Sequence, residues 1–228
     1  MPPSHDPIKG NAVLFSEMTP PDGGEDTFNQ WYDGHHTPNH VKGVPGFLSA
    51  MRYKSTFGPH YLAVYDLDSV DTLQSEEYKS RKFTPDDKTR EILSSVSGFT
   101  RYIANEAFCM ARDGDVAGAQ DAAVIFCVFF AVPMERCGAF DQWYDSEHIP
   151  MLLDCPDWLM ARRFDIVDWD PEPYTHLILH YLADEQALQS DALAAARATD
   201  ARKAFAAEPW FIPHFVTYQR RGARFLKS

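Results

Sequence analysis

The sequence predicts an α+β fold made of two copies of a β-α-β-β-α-β unit. Three observations carry this: an eleven-residue stretch that occurs twice, a matched series of residues downstream of each copy, and an order of strands and helices that runs through twice. Phe28–Pro38 reads FNQWYDGHHTP and Phe140–Pro150 reads FDQWYDSEHIP, with seven of the eleven positions identical. Further on, Pro45-Gly46-Phe47-Leu48 answers Pro156-Asp157-Trp158-Leu159, Arg52-Tyr53 answers Arg163-Phe164, and Leu73-Gln74-Ser75 answers Leu188-Gln189-Ser190. The period of about 112 residues is too long for a solenoid, whose units run roughly 20–50 residues. It describes a duplicated domain: a first repeat over residues 1–110, a linker over 111–122, and a second repeat over 123–228.

Each element has a local reason. Residues 1–10 are polar and read as a loose start. Asn11–Met18 holds the apolar run Ala12-Val13-Leu14-Phe15 and reads as a strand. Pro20-Pro21-Asp22-Gly23-Gly24 is a turn. Glu25 to His36 reads as a helix with acidic residues early, as the helix dipole favours, and Pro38 is expected to end or kink it near His36. Phe47–Lys54 and Tyr61–Leu67 are strands, Ser69–Ser80 opens a second helix, a polar stretch around Thr84–Asp87 leads into helix to Ser95, and Phe99–Asn105 is the fourth strand. The small, polar Ala111–Gln120 joins the copies. The second copy repeats the order: strand Ala123–Val132, helix Glu135–His148, strands Trp158–Val167 and His176–Leu182, the Ala-rich helix Asp184–Phe205, and strand Phe215–Arg220. The continuous apolar run of Ala123–Val132 calls for burial on both faces. One such unit covers only one face of its sheet with helices, so the two sheets are expected face to face with helices outside.

The net charge of −12 over 228 residues argues against a nucleic-acid partner, which needs basic phosphate contacts, and against an anionic membrane surface. The N-terminal MPPSHDPIKG lacks the apolar core of a signal peptide, and the longest apolar stretch, Ala122–Pro133, is strand length. Cys109, Cys127, Cys137 and Cys155 form no C-x-x-C pair, so reduced thiols in a cytoplasmic protein are expected.

On a helix, positions three and four apart share a face. Tyr32, Asp33 and His36 form one cluster and Tyr144, Asp145 and His148 its copy, both at the expected C-terminal end of a helix. There the dipole and the carboxylate would raise the imidazole pKa and suit it to general acid–base work. The other reading, that His caps the helix and Asp merely pairs with it, is equally open. Tyr61 aligns with His176 and Tyr65 with His180, each pair four apart on one strand face. They are candidate substrate contacts, against a reading as satisfied histidines. Arg52 and Arg163 would bind a substrate carboxylate or phenolate, or pair with a helix acid. Trp31, Trp143, Phe28 and Phe140 read first as core, with the two tryptophans also candidate contacts. No metal site is expected: His35, His36 and His40 resemble a ligand set, but Pro38 interrupts their helix and the second copy lacks counterparts to His35 and His40.

A β-α-β-β-α-β unit with F-x-x-W-Y-x-x-x-H-x-P on its first helix, then P-G-F and an R-[YF] strand, resembles the dimeric α/β-barrel superfamily, and within it the EthD-like branch. Trp143–Pro150 is the closer match; the first copy departs with His35 for Glu147 and Thr37 for Ile149. The resemblance implies a fused pseudo-dimeric α/β barrel. Its activities include cofactor-free monooxygenases, cyclases, isomerases, decarboxylases and dehydratases, and also haem proteins, so the fold alone does not select a reaction. The expectation is a cofactor-independent enzyme acting on a small aromatic or polyketide-like molecule by decarboxylation, dehydration, isomerisation or cyclisation. In it, His36 or His148 is acid or base, oriented by Asp33 or Asp145. Tyr32 or Tyr144, His176, His180 and the arginines position the substrate. The alternatives are a haem protein or cofactor-free monooxygenase, and a non-catalytic small-molecule binder. Association of the fused pair into a larger homo-oligomer is left open.

Overall fold

The computed structural model describes residues 9–227; residues 1–8 of the expected loose start lie outside them. The chain divides into two units. The first comprises residues 9–105, Asp168–Pro171 and 221–227, and the second Glu106–Val167 and Glu172–Arg220.

In the first unit, β1 (Ala12–Thr19) is followed by α1 (Glu25–Trp31), a π-helical turn at Tyr32–His36, and α2 (Thr37–Gly43). Then come β2 (Phe47–Ser55), β3 (Tyr61–Leu67), a 3-10 turn at Val70–Gln74, α3 (Glu76–Phe83), α4 (Asp87–Ser95) and β4 (Ser97–Ala111). The sheet is antiparallel in the order β2-β3-β1-β4. Ser75 caps α3 by accepting from the Tyr78 amide, and Asp86 caps α4 by accepting from the Thr89 amide, which is why these polar residues start helices. Gly46 turns the chain at φ +87°, and a Cβ there would meet Thr72 Oγ1 at 2.3 Å, so this turn admits only glycine.

Two short helices follow: a 3-10 turn at Arg112–Gly114 and α5 (Val116–Ala119). Arg112 Nη1 donates to the carbonyls of Leu153 and Cys155, so the stretch between the repeats is ordered. The second unit holds β5 (Val124–Phe130), a 3-10 turn at Met134–Arg136, α6 (Cys137–Trp143), a π turn at Tyr144–His148 and α7 (Ile149–Leu152). It continues with β6 (Trp158–Asp170), β7 (His176–Leu182), α8 (Asp191–Ala198), α9 (Asp200–Ala206) and β8 (His214–Arg220). Its sheet order, β6-β7-β5-β8, is that of the first. Every residue of β5 is buried, as its apolar run requires. A short β9 (Phe225–Leu226), not expected from sequence, pairs with the edge of β2. The fold is α+β, two ferredoxin-like repeats with antiparallel sheets.

Two local expectations are corrected. Pro38 neither ends nor kinks off the helix at His36. The π turn closes with an i→i+5 bond from the Thr37 amide to the Tyr32 carbonyl, and α2 continues with Pro38 in its first turn. Proline has no amide to donate there, and the wider turn removes the carbonyl its ring would strike. Pro150 is carried in the same way by Tyr144–His148. The Ala-rich stretch Asp184–Phe205 is not one helix: it breaks at Ser190 and Thr199, whose hydroxyls cap α8 and α9 by accepting from the Leu193 and Arg202 amides.

All four cysteines are free thiols, and no helix among the described residues is long and apolar enough to cross a membrane. Replacing Ser190 or Thr199 by Ala is expected to cost about 1 kcal/mol each, read as a fall of roughly 2–4 °C in the thermal midpoint.

Candidate active site

The π turn decides what the motif presents. With the i+4 residue held above its partner, Tyr32 and His36 meet with ring centroids 4.9 Å apart, and Tyr144 and His148 at the same 4.9 Å. The i+3 residue swings away. Asp33 therefore does not orient His36: it takes Arg52 Nη1 at 2.5 Å and is also bound by Arg221. Asp145 likewise takes Arg163 bidentately, at 2.9 and 2.8 Å. This corrects the expected His–Asp pairs, since a guanidinium is a charge-assisted donor that a neutral imidazole does not match. It also gives Arg52 and Arg163 the helix-acid pairing that was one of their two readings.

The imidazole pKa shifts run opposite to expectation. The helix continues past each histidine, so no C-terminal dipole faces it, and the nearby carboxylate is spent on arginine. Burial, the neighbouring His40 and Arg52 push His36 well below its usual range. Burial, then Arg202 and Arg197, push His148 down to about 4. Both are neutral at pH 7.

In the first unit the motif opens on a cavity of about 720 Å³. Its walls are Leu14, Ser16 and Met18 of β1, Tyr32, His35, His36, Asn39 and His40 of the motif helices, and Tyr65 of β3. Tyr78, Ser80, Arg81 and Lys82 of α3, Thr84, Pro85, Asp86, Thr89 and Leu93 leading into and along α4, and Phe99 and Arg101 of β4 complete it, with Asp168, Trp169 and Asp170. His36 packs on Trp31 at 4.5 Å and on His40 at 4.4 Å. His40 Nδ1 donates to the His36 carbonyl at 2.9 Å. Trp31 donates to Thr89 Oγ1, which donates in turn to Asp86, and Asp86 also holds His35 at 2.9 Å. That carboxylate, fed by the Thr89 amide and by His35, is held down to about 2.

The hydroxyls of Tyr32, Tyr65 and Thr37 are buried without a well-formed hydrogen bond. Burial raises the pKa of both tyrosines, which keeps them protonated donors. Beneath Tyr32 lies the Arg52 guanidinium, fully buried, 4.0 Å from the ring centroid. Its Nε and Nη2 have no hydrogen-bond partner, so the aromatic faces of Tyr32, Tyr61 and Phe28 are what it meets.

In the second copy the motif tyrosine hydroxyl is paired, while His148 Nδ1 is buried without a hydrogen-bond partner. Trp158 Nε1 donates to His180 Nδ1 at 3.1 Å, so His180 carries its proton on Nε2, 3.2 Å from the Tyr144 hydroxyl. Trp143 packs on Phe205 at 4.9 Å and near Phe211 at 6.1 Å. His176 joins Asp141 at 3.0 Å, beside Asp165 and Arg163. Asp141, Asp165 and His176 have the spacing of a cation site, and the Arg163 guanidinium supplies the positive charge among them.

Among the sequence candidates, Tyr32, His36 and Tyr65 thus line one cavity. Tyr61 is turned to Glu25 and Arg52 and is not in the cavity wall. Trp31 and Trp143 are buried core. His176 and His180 are both buried and hydrogen-bonded in the second unit. Sequence reasoning missed Tyr78, Arg81, Lys82 and Arg101. The signal available was the basic end of α3, which reads equally as a solvated helix terminus.

No protein-family model and no curated protein matches the chain. Solved structures do. An anthrone oxidase-like protein superposes with a TM-score of 0.64 at 14% identity, over 95% of this chain and 93% of its own. A candidate monooxygenase from Lactobacillus acidophilus NCFM gives 0.61 at 9%, over 95% and 97%. A mutant chlorite dismutase from Candidatus Nitrospira defluvii gives 0.53 at 10%, over 92% and 90%. At these identities the likeness is one of fold, that of the dimeric α/β-barrel proteins.

The buried histidines make the second unit acid-sensitive. His180 falls to about 3 by burial and the nearby His148, and His148 to about 4, from the usual 6.5. The unfolded chain binds these protons more readily. The stability due to the neutral rings is therefore full above pH 6.5 and is lost as pH falls toward 4 and 3. The thermal midpoint should drop over that window, and His180→Gln should flatten the slope.

Proposed function

We propose that the first unit holds the working site of an oxidising enzyme. It takes a proton from a small aromatic or polyketide-like molecule, and the resulting carbanion reacts with dioxygen. The observation that carries this reading is the contrast between the copies. In the first, the motif faces a cavity with a neutral His36 whose ring nitrogens have no hydrogen-bond partner among the described residues; in the second, His148 is buried and phenylalanines pack on Trp143 and Tyr144. A neutral, unclaimed imidazole beside a cavity is a competent general base. The tyrosine donors would stabilise the oxygen on which the negative charge develops.

The balance closes with dioxygen as the only co-reactant. A methylene flanked by aryl groups, made acidic by a conjugated carbonyl, loses its proton to His36. The carbanion reduces dioxygen, the new C–O–O bond takes the proton back as a hydroperoxide, and loss of water leaves a ketone. The overall change is CH2 plus O2 to C=O plus H2O. Decarboxylation, dehydration, isomerisation and cyclisation begin with related proton transfers. The oxidase-like and monooxygenase names among the fold neighbours favour oxidation over them. Placement in the EthD-like branch rests on the H-x-P motif, which both copies carry.

Haem is a second reading, favoured by a chlorite dismutase among the fold neighbours and by the donor set. His36 offers a neutral imidazole to an iron, and Arg81 and Lys82 offer cations to propionates, so the residues fit. A bound haem would supply a redox-active iron; the chain's own part would be to ligate it and hold its carboxylates.

With an anthrone as substrate and oxygen uptake as readout, His36→Ala is expected to lower kcat by about 10²–10⁴-fold, with His148→Ala close to wild type. Because the His36 pKa lies well below 6.5, the rate should stay flat through neutral pH and fall only in acid. Product formed equally without oxygen would sink the oxidase reading in favour of a lyase or isomerase. A haem-type absorption band on adding haemin, lost in His36→Ala, would replace it with the haem reading.

A further inference from the structure

The cavity wall holds a cation that the proposed chemistry does not use. Arg81, on α3, is half-buried, and its Nη1 donates to the Glu77 backbone carbonyl at 2.8 Å. It forms no ion pair with a carboxylate among the described residues. The acids nearby are engaged elsewhere: Asp86 holds His35 and caps α4, and Asp168 takes Arg101 at 2.8 Å. Asp170 is exposed. Lys82 adds a second positive charge, its ammonium held below its usual pKa by partial burial and by Arg101. A guanidinium with no carboxylate partner at a cavity wall is placed to meet an anion.

The backbone makes room for this arginine. Gly43 ends α2, and a Cβ there would sit 2.4 Å from Arg81 Nη2. The second copy lacks the arrangement: counting from the matched caps Ser75 and Ser190, Arg81 corresponds to Ala196, which is buried. The guanidinium at this position therefore belongs to the first copy; the second carries Arg197 at the position of Lys82 and Arg202 on α9, both near His148.

We propose that Arg81, supported by Lys82, is a carboxylate receptor, and that the molecule entering the first-unit cavity is an aromatic acid. Carboxylate and guanidinium match in a planar, two-point geometry. The proposal rests on that cavity being the binding site, but not on its chemistry. The carboxylate has two sources, an aromatic acid substrate or a haem propionate.

The test is binding without turnover. A fluorescent hydroxynaphthoate and its methyl ester are titrated against wild type, Arg81→Gln and Gly43→Ala, with haemin as a separate arm. Gly43→Ala is the informative variant. The atom it displaces is the far end of a flexible side chain, and residue 43 is not at positive φ, so the fold is retained while the guanidinium moves. The acid is expected to bind wild type at least about tenfold more tightly than the ester. Both variants should lose most of that difference and keep the ester affinity. Haemin uptake that depends on Arg81, with no binding of the hydroxynaphthoate, assigns the receptor to propionate. Equal binding of acid and ester to wild type, or an acid affinity unchanged in both variants, overturns the proposal. So does equal loss of acid and ester, or binding of neither the acid nor haemin. Loss of activity in His36→Ala has no bearing on these readouts, so the oxidase reading and this one fail separately.

Discussion

One turn of backbone governs the motif. Tyr32–His36 is wound as a π turn, and so is Tyr144–His148. The extra residue in the turn lets the helix pass a proline that would otherwise end it. It also keeps the tyrosine and histidine in contact and sends the aspartate toward the strand arginine. Each copy is then tied to its sheet by a carboxylate–guanidinium pair, Asp33 with Arg52 and Asp145 with Arg163. The histidine, relieved of an acidic partner and of a helix end, sits neutral among aromatic rings.

The duplication supplies an internal comparison. The two motifs share the turn, the ring contact and the arginine tie, so those features belong to the fold. What differs is a handful of positions around them. Tyr65 replaces the His180 that joins Tyr144 to Trp158, and Phe47 replaces Trp158. Thr89 and Ile92 stand where the second copy has Arg202 and Phe205, counting from the caps Asp86 and Thr199. Smaller side chains at three of these four positions and hydroxyls without partners accompany the cavity of the first copy, while in the second Phe205 packs on Trp143 and His148 is buried. Chemistry that needs water excluded and a base exposed to substrate has room in one copy, and stabilising apolar burial takes its place in the other.

Much of this was legible in the sequence. The eleven-residue repeat specifies two equal units, and the largely apolar runs Tyr61–Leu67 and His176–Leu182 coincide with β3 and β7. Of the two readings of the strand arginines, substrate contact or pairing with a helix acid, both copies show the pairing, because opposite charges on adjacent elements of a repeated unit meet. The fate of the histidines was not legible. Spacing rules written for 3.6 residues per turn put Asp33 beside His36, and a π turn breaks that rule without any signature beyond the proline itself.

The sequence by itself determined the element order, the duplication and the identity of the shared motif, because these follow from local pattern and from repetition along the chain. Only the tertiary structure decided which copy is open, that both motif histidines are neutral, and that Arg81 stands beside a cavity without a counter-ion. Those are properties of volume and dielectric. They depend on how residues far apart in the chain, such as His36 and Asp86 or Trp143 and Phe205, fill or fail to fill the space between helix and sheet.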